Sequence, residues 1–250
     1  GLVTVFGGLL TGIRCAARPP PTRLNHRQLR VIPPRPTCYN AGLSVSVKPK
    51  RPLWACLVES AMNEFTVPAY LQDARQLLSA SGFACTGRWY HGTASGLIPS
   101  IQAHGLHGSG DLELLTRQFK TLGTIGHDIS DHKDPLFITQ SKELAYFWAC
   151  EKAHTRSVYL KTNEQPVVFE LNLSDELQQQ VTTDAGGAAL VLEPGNLYLL
   201  WLGELYEACG VAKPEIDPLR GDRMDYLNKL GLAYLNAPVA AEHLLLLQPN

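Results

Sequence analysis

The sequence from residue 53 onward predicts an α+β domain built around an antiparallel or mixed β-sheet. Apolar runs rich in β-branched or aromatic residues predict strands at residues 89–91, 136–139, 157–161, 167–173, 190–192 and 242–247. Segments with helical spacing lie between some of these strands. The two kinds of element do not alternate regularly, as they would in a parallel βαβ fold, so we expect an α+β arrangement.

The helix signals follow the same order along the chain. Apolar residues at helical spacing, with capping residues at the ends, predict helices over residues 70–81, 97–104, 141–153, 197–209 and 224–230. Gly82 and Gly105 are expected to end the first two helices, and Pro99 stands in the first turn of the second. Ser141 is a good N-cap for the third.

The first 52 residues differ in composition from the rest of the chain. They carry nine Lys or Arg and no Asp or Glu, whereas the other residues carry the remaining 13 of the 22 basic groups and all 23 acidic groups. Eight prolines in this stretch remove backbone donors and favour an extended chain. We therefore predict a basic, Pro/Arg-rich, disordered arm over residues 1–52 and a folded domain over residues 53–250.

Composition also excludes several classes of function. An acidic domain argues against nucleic acid as the main partner, because binding a phosphate backbone requires Lys and Arg. No apolar run is long enough to span a membrane. The six cysteines include no Cys-x-x-Cys pair, so we predict neither a disulfide scaffold nor a metal site, and we expect free thiols in a reducing compartment.

The segment that points to a ligand is His91-Gly92-Thr93, which follows the aromatic pair Trp89-Tyr90. A glycine at a strand end lets backbone N–H and C=O groups approach a flat ligand closely. The flanking His and Thr offer further hydrogen bonds at the rim. The alternative is a strand followed by an ordinary turn.

Three segments together resemble the NAD-binding segments of ADP-ribosyltransferases. Tyr90-His91-Gly92-Thr93, followed by Gly96-Leu97 and Gly105-Leu106, resembles the first segment of the diphtheria-toxin-like and poly(ADP-ribose)-polymerase-like branch, which uses a His-Tyr-Glu set. Residues 136–146 resemble the second segment and residues 241–247 the third, in the family's order. The resemblance implies a split antiparallel or mixed β-sheet core with flanking helices.

The resemblance also implies roles for the cofactor-binding residues. His91 would hold a ribose hydroxyl, Gly92 would pair its backbone with the nicotinamide amide, and Tyr146 would stack on the nicotinamide ring. The remaining members of the set are Thr93, Phe137 and Ser141. Phe137 stands where the family has a stacking tyrosine, so a hydroxyl is lost, and the spacing from Phe137 to Tyr146 is shorter than usual.

Glu242 is the catalytic residue that the resemblance implies. Its carboxylate would stabilise the oxocarbenium character that the ribose develops as nicotinamide leaves. Arginine-specific members carry Gln or Glu two residues before this glutamate. Here that residue is Ala240, which argues against an arginine acceptor.

The resemblance predicts a mono-ADP-ribosyltransferase that moves ADP-ribose from NAD, its cosubstrate, to a non-arginine residue of a target protein and releases nicotinamide. A threonine of ubiquitin is one acceptor of this kind. Together with the basic arm, the resemblance suggests a secreted bacterial toxin or effector that acts in the host cytosol; otherwise we expect a cytoplasmic enzyme. The alternatives are an RNA 2′-phosphotransferase or nucleic-acid ADP-ribosyltransferase on the same fold, and a non-catalytic module that binds a partner.

Overall fold

The computed structural model describes residues 66–108, 111–118 and 134–249, so the predicted arm lies outside the described residues. Eight strands occur in this part of the chain: β1 (Leu78–Ser79), β2 (Gly82–Phe83), β3 (Trp89–Ala94), β4 (Leu136–Thr139), β5 (Pro166–Leu171), β6 (Thr182–Thr183), β7 (Leu232–Leu235) and β8 (Leu244–Leu246). β1 and β2 form a small hairpin, and the other six form one sheet in the order β6-β7-β4-β3-β5-β8. Every pair in that sheet is antiparallel, which confirms the α+β prediction.

Helices surround this sheet. The α-helices of the described residues are α1 (Ala74–Leu77), α2 (Ile98–His104), α3 (Leu112–Gln118), α4 (Lys142–Leu160), α5 (Asp175–Gln178), α6 (Ala185–Ala189), α7 (Leu197–Ala208) and α8 (Arg223–Leu230). Short 3₁₀ turns cover Ala69–Leu71, Ser95–Leu97, Leu190–Leu192 and Ala241–His243. None of the helices in the described ranges is long and apolar enough to cross a membrane.

The predicted helix over residues 70–81 is wrong in its extent. A 3₁₀ turn, the single turn α1 and the strand β1 share this stretch. Gly82 does not cap a helix but begins β2 with φ 105°, in the left-handed region that favours glycine. A side chain there would also meet the carbonyl oxygen of Asn228 at 2.3 Å, so the hairpin can pack on α8 only through glycine.

Two predicted strands are helical in the structure. Residues 157–161 complete α4, because its buried stripe of Ala145, Ala149 and Ala153 continues to Arg156 and holds the last turns against the domain. The helix then ends at Lys161 with φ 57°. Residues 190–192 form a 3₁₀ turn. β7 was not predicted; its four residues directly follow Gly231, the C-cap of α8.

The two faces of the sheet carry different layers. On β3, Tyr90, Gly92 and Ala94 point toward α4, which lies across β3 and β5, and alternate residues point to the opposite face. That opposite face carries the larger core, which includes Trp89, Ile101, Ile138, Phe169, Leu171, Leu235 and Val239. Each large apolar side chain buried in this way contributes about 1.5–3 kcal/mol to folding.

A reciprocal arrangement of carboxylates fixes the start of α4. Asp73 accepts hydrogen bonds from the Ser141 hydroxyl (2.5 Å) and from the N–H of Lys142 (2.9 Å). Glu143 in turn accepts from the N–H of Asp73 (3.1 Å) and Ala74 (2.5 Å) at the start of α1. Each carboxylate thus satisfies free N–H groups at the other helix, and α4 is held in one position along β3.

Candidate functional site

The sheet opens between β3 and β4. Tyr90 and Thr139 are paired across these strands, and within the described residues no second pair joins them. One step further in the same register, Gly92 would lie opposite Phe137. The ladder therefore stops at the point where the His-Gly-Thr segment begins.

The backbone of Gly92 faces this opening. On the other side of β3, the N–H of Ser95 donates to the carbonyl of Gln165, directly opposite in the β3–β5 register (2.8 Å). Backbone groups alternate in direction along a strand, so odd-numbered residues of β3 bond toward β5 and even-numbered residues face β4. The N–H and C=O of Gly92 thus point toward β4, with which Gly92 makes no ladder pair in the described part of the chain.

His91 bridges the opening. Its Nδ1 lies 2.8 Å from the carbonyl oxygen of Phe137. A carbonyl only accepts, so Nδ1 carries the proton, and Nε2 of the neutral ring is left as an acceptor. Burial lowers the pKa of His91 and the charge of Lys152 lowers it further, against the opposing effect of the bond to Phe137, so the ring is neutral at neutral pH.

Gly92 has a second role that the sequence did not reveal. A Cβ at this position would lie 1.8 Å from the carbonyl oxygen of Ala145 and 2.7 Å from the nitrogen of Ala149. The absence of a side chain is therefore what lets α4 lie against β3. The helix consequently forms a wall beside the opening.

The two flanks of α4 face in different directions. Leu144 packs against Gly231 at the start of β7, since a Cβ on that glycine would lie 2.3 Å from Leu144 Cδ1. β7 pairs with β4, so this flank faces the side of the opening. Residues three or four apart share one side of a helix, which places Trp148 and Lys152 on the same flank.

Tyr146 lies on the other flank. It packs against the cluster that contains Leu71, Tyr90 and Val168, as does Leu247, whose N–H donates to the Val168 carbonyl (3.0 Å) on the β5–β8 side of the sheet. Burial and the neighbouring Cys150 raise the pKa of Tyr146 above its ordinary value. Tyr146 therefore lies on the flank of α4 that faces Val168 and Leu247.

Trp148 is the aromatic residue on the flank that faces the opening. One of its faces stacks on Tyr198, with ring centres 5.0 Å apart and planes inclined by 30°. Its indole N–H is buried and has no hydrogen-bond partner in the described part of the chain. The short spacing between Phe137 and Tyr146 was the sequence signal that could have pointed to Trp148, which lies two residues further along.

The other predicted binding residues have mixed positions. Phe137 is half-buried, opposite Tyr234 across β4 and β7. Thr93 is buried and paired with Val167 on β5. Ser141 caps α4 as predicted, but it is 0% exposed and its hydroxyl donates to Asp73, so it is engaged inside the domain.

Glu242 lies at the β8 edge of the sheet, away from the opening between β3 and β4. It is an exposed residue of the 3₁₀ turn before β8, and β8 pairs only with β5 among the described strands. β8 is two strands from β3, which is about 10 Å across the sheet. The first residue of β8, Leu244, is level with Trp89 of β3. Gly92 lies three residues further along β3, which adds about 10 Å in the strand direction. The structure therefore does not bring the Glu242 carboxylate together with His91 and Gly92.

Charged residues gather further along α4, on the flank that faces the opening. The ammonium of Lys152 lies 2.7 Å from Asp111 Oδ2, and Arg156 lies 2.5 Å from Asp111 Oδ1. Burial alone would raise the pKa of Asp111, but Lys152 and Arg156 together hold it below the ordinary value. Asp111 is thus an ionised carboxylate in contact with two cationic side chains.

In the residues that the structure describes, no group of three or more His, Cys, Asp or Glu side chains is arranged to hold a metal ion. Cys85, Cys150 and Cys209 are free thiols. The site consists of an unpaired backbone edge at Gly92, a neutral imidazole and an aromatic wall. Comparisons with protein-family models, curated proteins and solved structures give no match to this chain.

Proposed function

We propose that this chain is a mono-ADP-ribosyltransferase that binds the nicotinamide half of NAD in the opening between β3 and β4. The observation that carries the proposal is the unpaired Gly92 edge. It offers one N–H donor and one C=O acceptor side by side. A primary carboxamide such as that of nicotinamide carries the complementary acceptor and donor.

The neighbouring side chains support the same ligand. In its neutral form His91 presents Nε2 as an acceptor, which suits a ribose hydroxyl donor beside the nicotinamide ring. Trp148 lies on the wall next to Gly92, with one face already covered by Tyr198, and its other face suits a flat heterocycle. We assign Trp148, in place of Tyr146, to the stacking role.

The position of Glu242 favours a second candidate function. Departure of nicotinamide leaves positive charge on the ribose, which a carboxylate must approach closely to stabilise. Glu242 is held two strands away, and Asp111 is already paired with Lys152 and Arg156. The second candidate is therefore a module that binds NAD, or a partner that carries a carboxamide, without turnover.

Two further proposals concern the acceptor residue and the place where the protein acts. Ala240 lacks the side-chain functional group that would grip a guanidinium, so we propose a non-arginine protein acceptor, with a threonine of ubiquitin as one to test. We further propose that the protein is a secreted bacterial effector acting in a host cytosol. These parts depend on the resemblance described above.

Two measurements on one sample separate the candidates. Isothermal titration calorimetry gives the NAD affinity, and chromatography gives the rate of nicotinamide release with and without host-cell lysate. Transfer predicts both binding and release, with ADP-ribose on a lysate protein by mass spectrometry. Binding without release supports the second candidate. No binding at millimolar NAD would contradict the transferase and the NAD-binding form of the second candidate, and would leave a module that binds a carboxamide of a partner.

A matched pair of histidine variants locates the binding. His91→Ala should lower the NAD affinity by about tenfold or more, since it removes an acceptor for the ribose and the bond that spans the opening. His154→Ala alters an exposed histidine of the same chain, on α4, and should leave the affinity unchanged. Equal losses in both variants would show that NAD binds elsewhere.

A further inference from the structure

A buried ion network lies at the end of β3, outside the residues assigned to the ligand. Glu164 accepts hydrogen bonds from the N–H of Gly96 (2.5 Å) and from the Ser95 hydroxyl (3.2 Å) in the turn that directly follows β3. A Cβ on Gly96 would lie 2.5 Å from Glu164 Oε1, so this carboxylate occupies the space that a side chain would take. The turn after β3 is thus bound to this carboxylate in addition to its hydrogen bonds with Gln165.

Arg156 connects that carboxylate to a second element. Its side chain is 5% exposed; Nε lies 3.3 Å from Glu164 Oε1, and one terminal nitrogen lies 2.5 Å from Asp111 Oδ1. Asp111 also accepts from the N–H of Leu114 (3.2 Å) and so caps the start of α3. One guanidinium on α4 therefore ties the exit of β3 to the start of α3.

We propose that Arg156 is a positioning residue for the NAD site, because it holds the end of β3 against α4 and away from β4. This inference rests on the proposed function. Gly92 lies four residues before Gly96 on a continuous strand, so a tie at Gly96 limits how far β3 can move toward β4. Without it, Gly92 and Phe137 are in register to form the next pair of the ladder.

Stability alone does not account for this network. Replacing a buried ion pair by well-packed apolar groups is often neutral or stabilising, so burying a guanidinium between two carboxylates is not the simplest way to fix a helix. The network lies just past the end of β3, at Gly96, four residues beyond Gly92. Lys152, on the flank of α4 beside the opening, shares Asp111 with Arg156.

The test compares Arg156→Met with Arg220→Met, a control at an arginine whose side chain is 88% exposed. Two quantities are measured in each variant: amide hydrogen exchange at Gly92 and the Kd for NAD. In Arg156→Met, exchange at Gly92 should slow by about tenfold, because the released strand completes the pair with β4 and protects this N–H. The NAD affinity should fall by about tenfold or more as the opening closes.

Unchanged exchange at Gly92 in a folded Arg156→Met protein would overturn the proposal. If that variant does not fold, Glu164→Gln and Gly96→Ala take its place, since the first weakens the tie to Arg156 and the second displaces the carboxylate. The same slowing is expected in both, and its absence overturns the proposal. A wild-type protein that does not bind NAD refutes the proposed function, while the exchange at Gly92 still decides the role of Arg156.

Discussion

Two neighbouring positions of the β3–β4 ladder differ in whether their backbones are paired. Tyr90 and Thr139 form a regular antiparallel pair, whereas Gly92 and Phe137, next in the same register, do not. The difference does not lie in the backbone conformation, since β3 remains regular and is paired with β5 along its whole length. It lies in the side chains around the second position.

His91 and Gly92 contribute to the difference, beside the tie between Arg156 and Glu164 proposed above. The His91 ring donates to the Phe137 carbonyl, the acceptor that the Gly92 N–H would use in a closed ladder. Gly92 cannot be drawn away from α4 without losing its close contact with Ala145 and Ala149. A closed and an open position can thus be neighbours on one strand when a side chain takes the place of the backbone partner.

The largest expected effect comes from adding a methyl group at the open position. Gly92→Ala places a Cβ 1.8 Å from the Ala145 carbonyl oxygen, so α4 must move from β3, at a cost of about 3 kcal/mol or more in the free energy of unfolding. Urea denaturation measures it. The control is Gly203→Ala in α7, where the atoms nearest to the new methyl belong to the flexible Lys213 side chain and helix propensity improves by up to about 1 kcal/mol. Equal stability of the two variants would contradict the close contact.

The second largest effect is expected on the NAD affinity when aromatic residues on the two flanks of α4 are replaced. Trp148→Ala should weaken NAD binding by about tenfold, because one stacked ring contributes about 1 kcal/mol or more. Tyr146→Ala should change the affinity by less than about twofold, since this side chain packs on the β5–β8 side. Calorimetry on both variants decides the assignment. The reverse order would place the ligand on the Tyr146 flank.

The protonation of His91 makes both the stability of the fold and the NAD affinity depend on pH. Because the folded-state pKa is lowered, the ring favours the neutral form, so its contribution to stability is present above the unfolded-state pKa of about 6.5 and is lost as the pH falls below it. NAD affinity should be constant between pH 7 and 8 and should fall once Nε2 is protonated in acid. Calorimetry from pH 5 to 8 measures this change. His91→Gln keeps an acceptor without a titrating ring and should lose the acid decline; a decline that persists would assign it to another group.

The smallest effect is expected at the far edge of the sheet. Glu242→Gln should leave the NAD affinity and any nicotinamide release within about twofold of wild type, because the carboxylate lies two strands from the opening. Release assays on both proteins measure this. Nicotinamide release that disappears in Glu242→Gln would show that the carboxylate reaches the ligand, as the sequence resemblance implies.

Particular residues show what the sequence could and could not predict. The start of α4 was predictable because Ser141 caps it locally, and β4 because residues 136–139 form a short apolar run. The end of α4 was not predictable, because the helix continues through residues 157–160, beyond Arg156. Arg156 is held by Glu164 and by Asp111, and Asp111 is 45 residues away in sequence. The side of the helix on which Tyr146 and Trp148 lie depends on the contact between Gly92 and Ala145, which no local pattern records. The position of Glu242 at the edge of the sheet depends on the pairing of β8 with β5, which is also a long-range contact.

The Gly92 edge is the central ligand contact proposed for this protein, and a titration followed by ¹⁵N NMR tests it. Nicotinamide, and then NAD, are added to ¹⁵N-labelled protein while the amide resonances of Gly92 and of Gly186, a glycine in α6, are followed. We expect a saturable shift of the Gly92 resonance, with the His91 ring nitrogens shifting in parallel and the Gly186 resonance unchanged. Saturable binding of NAD that leaves the Gly92 resonance in place would contradict it.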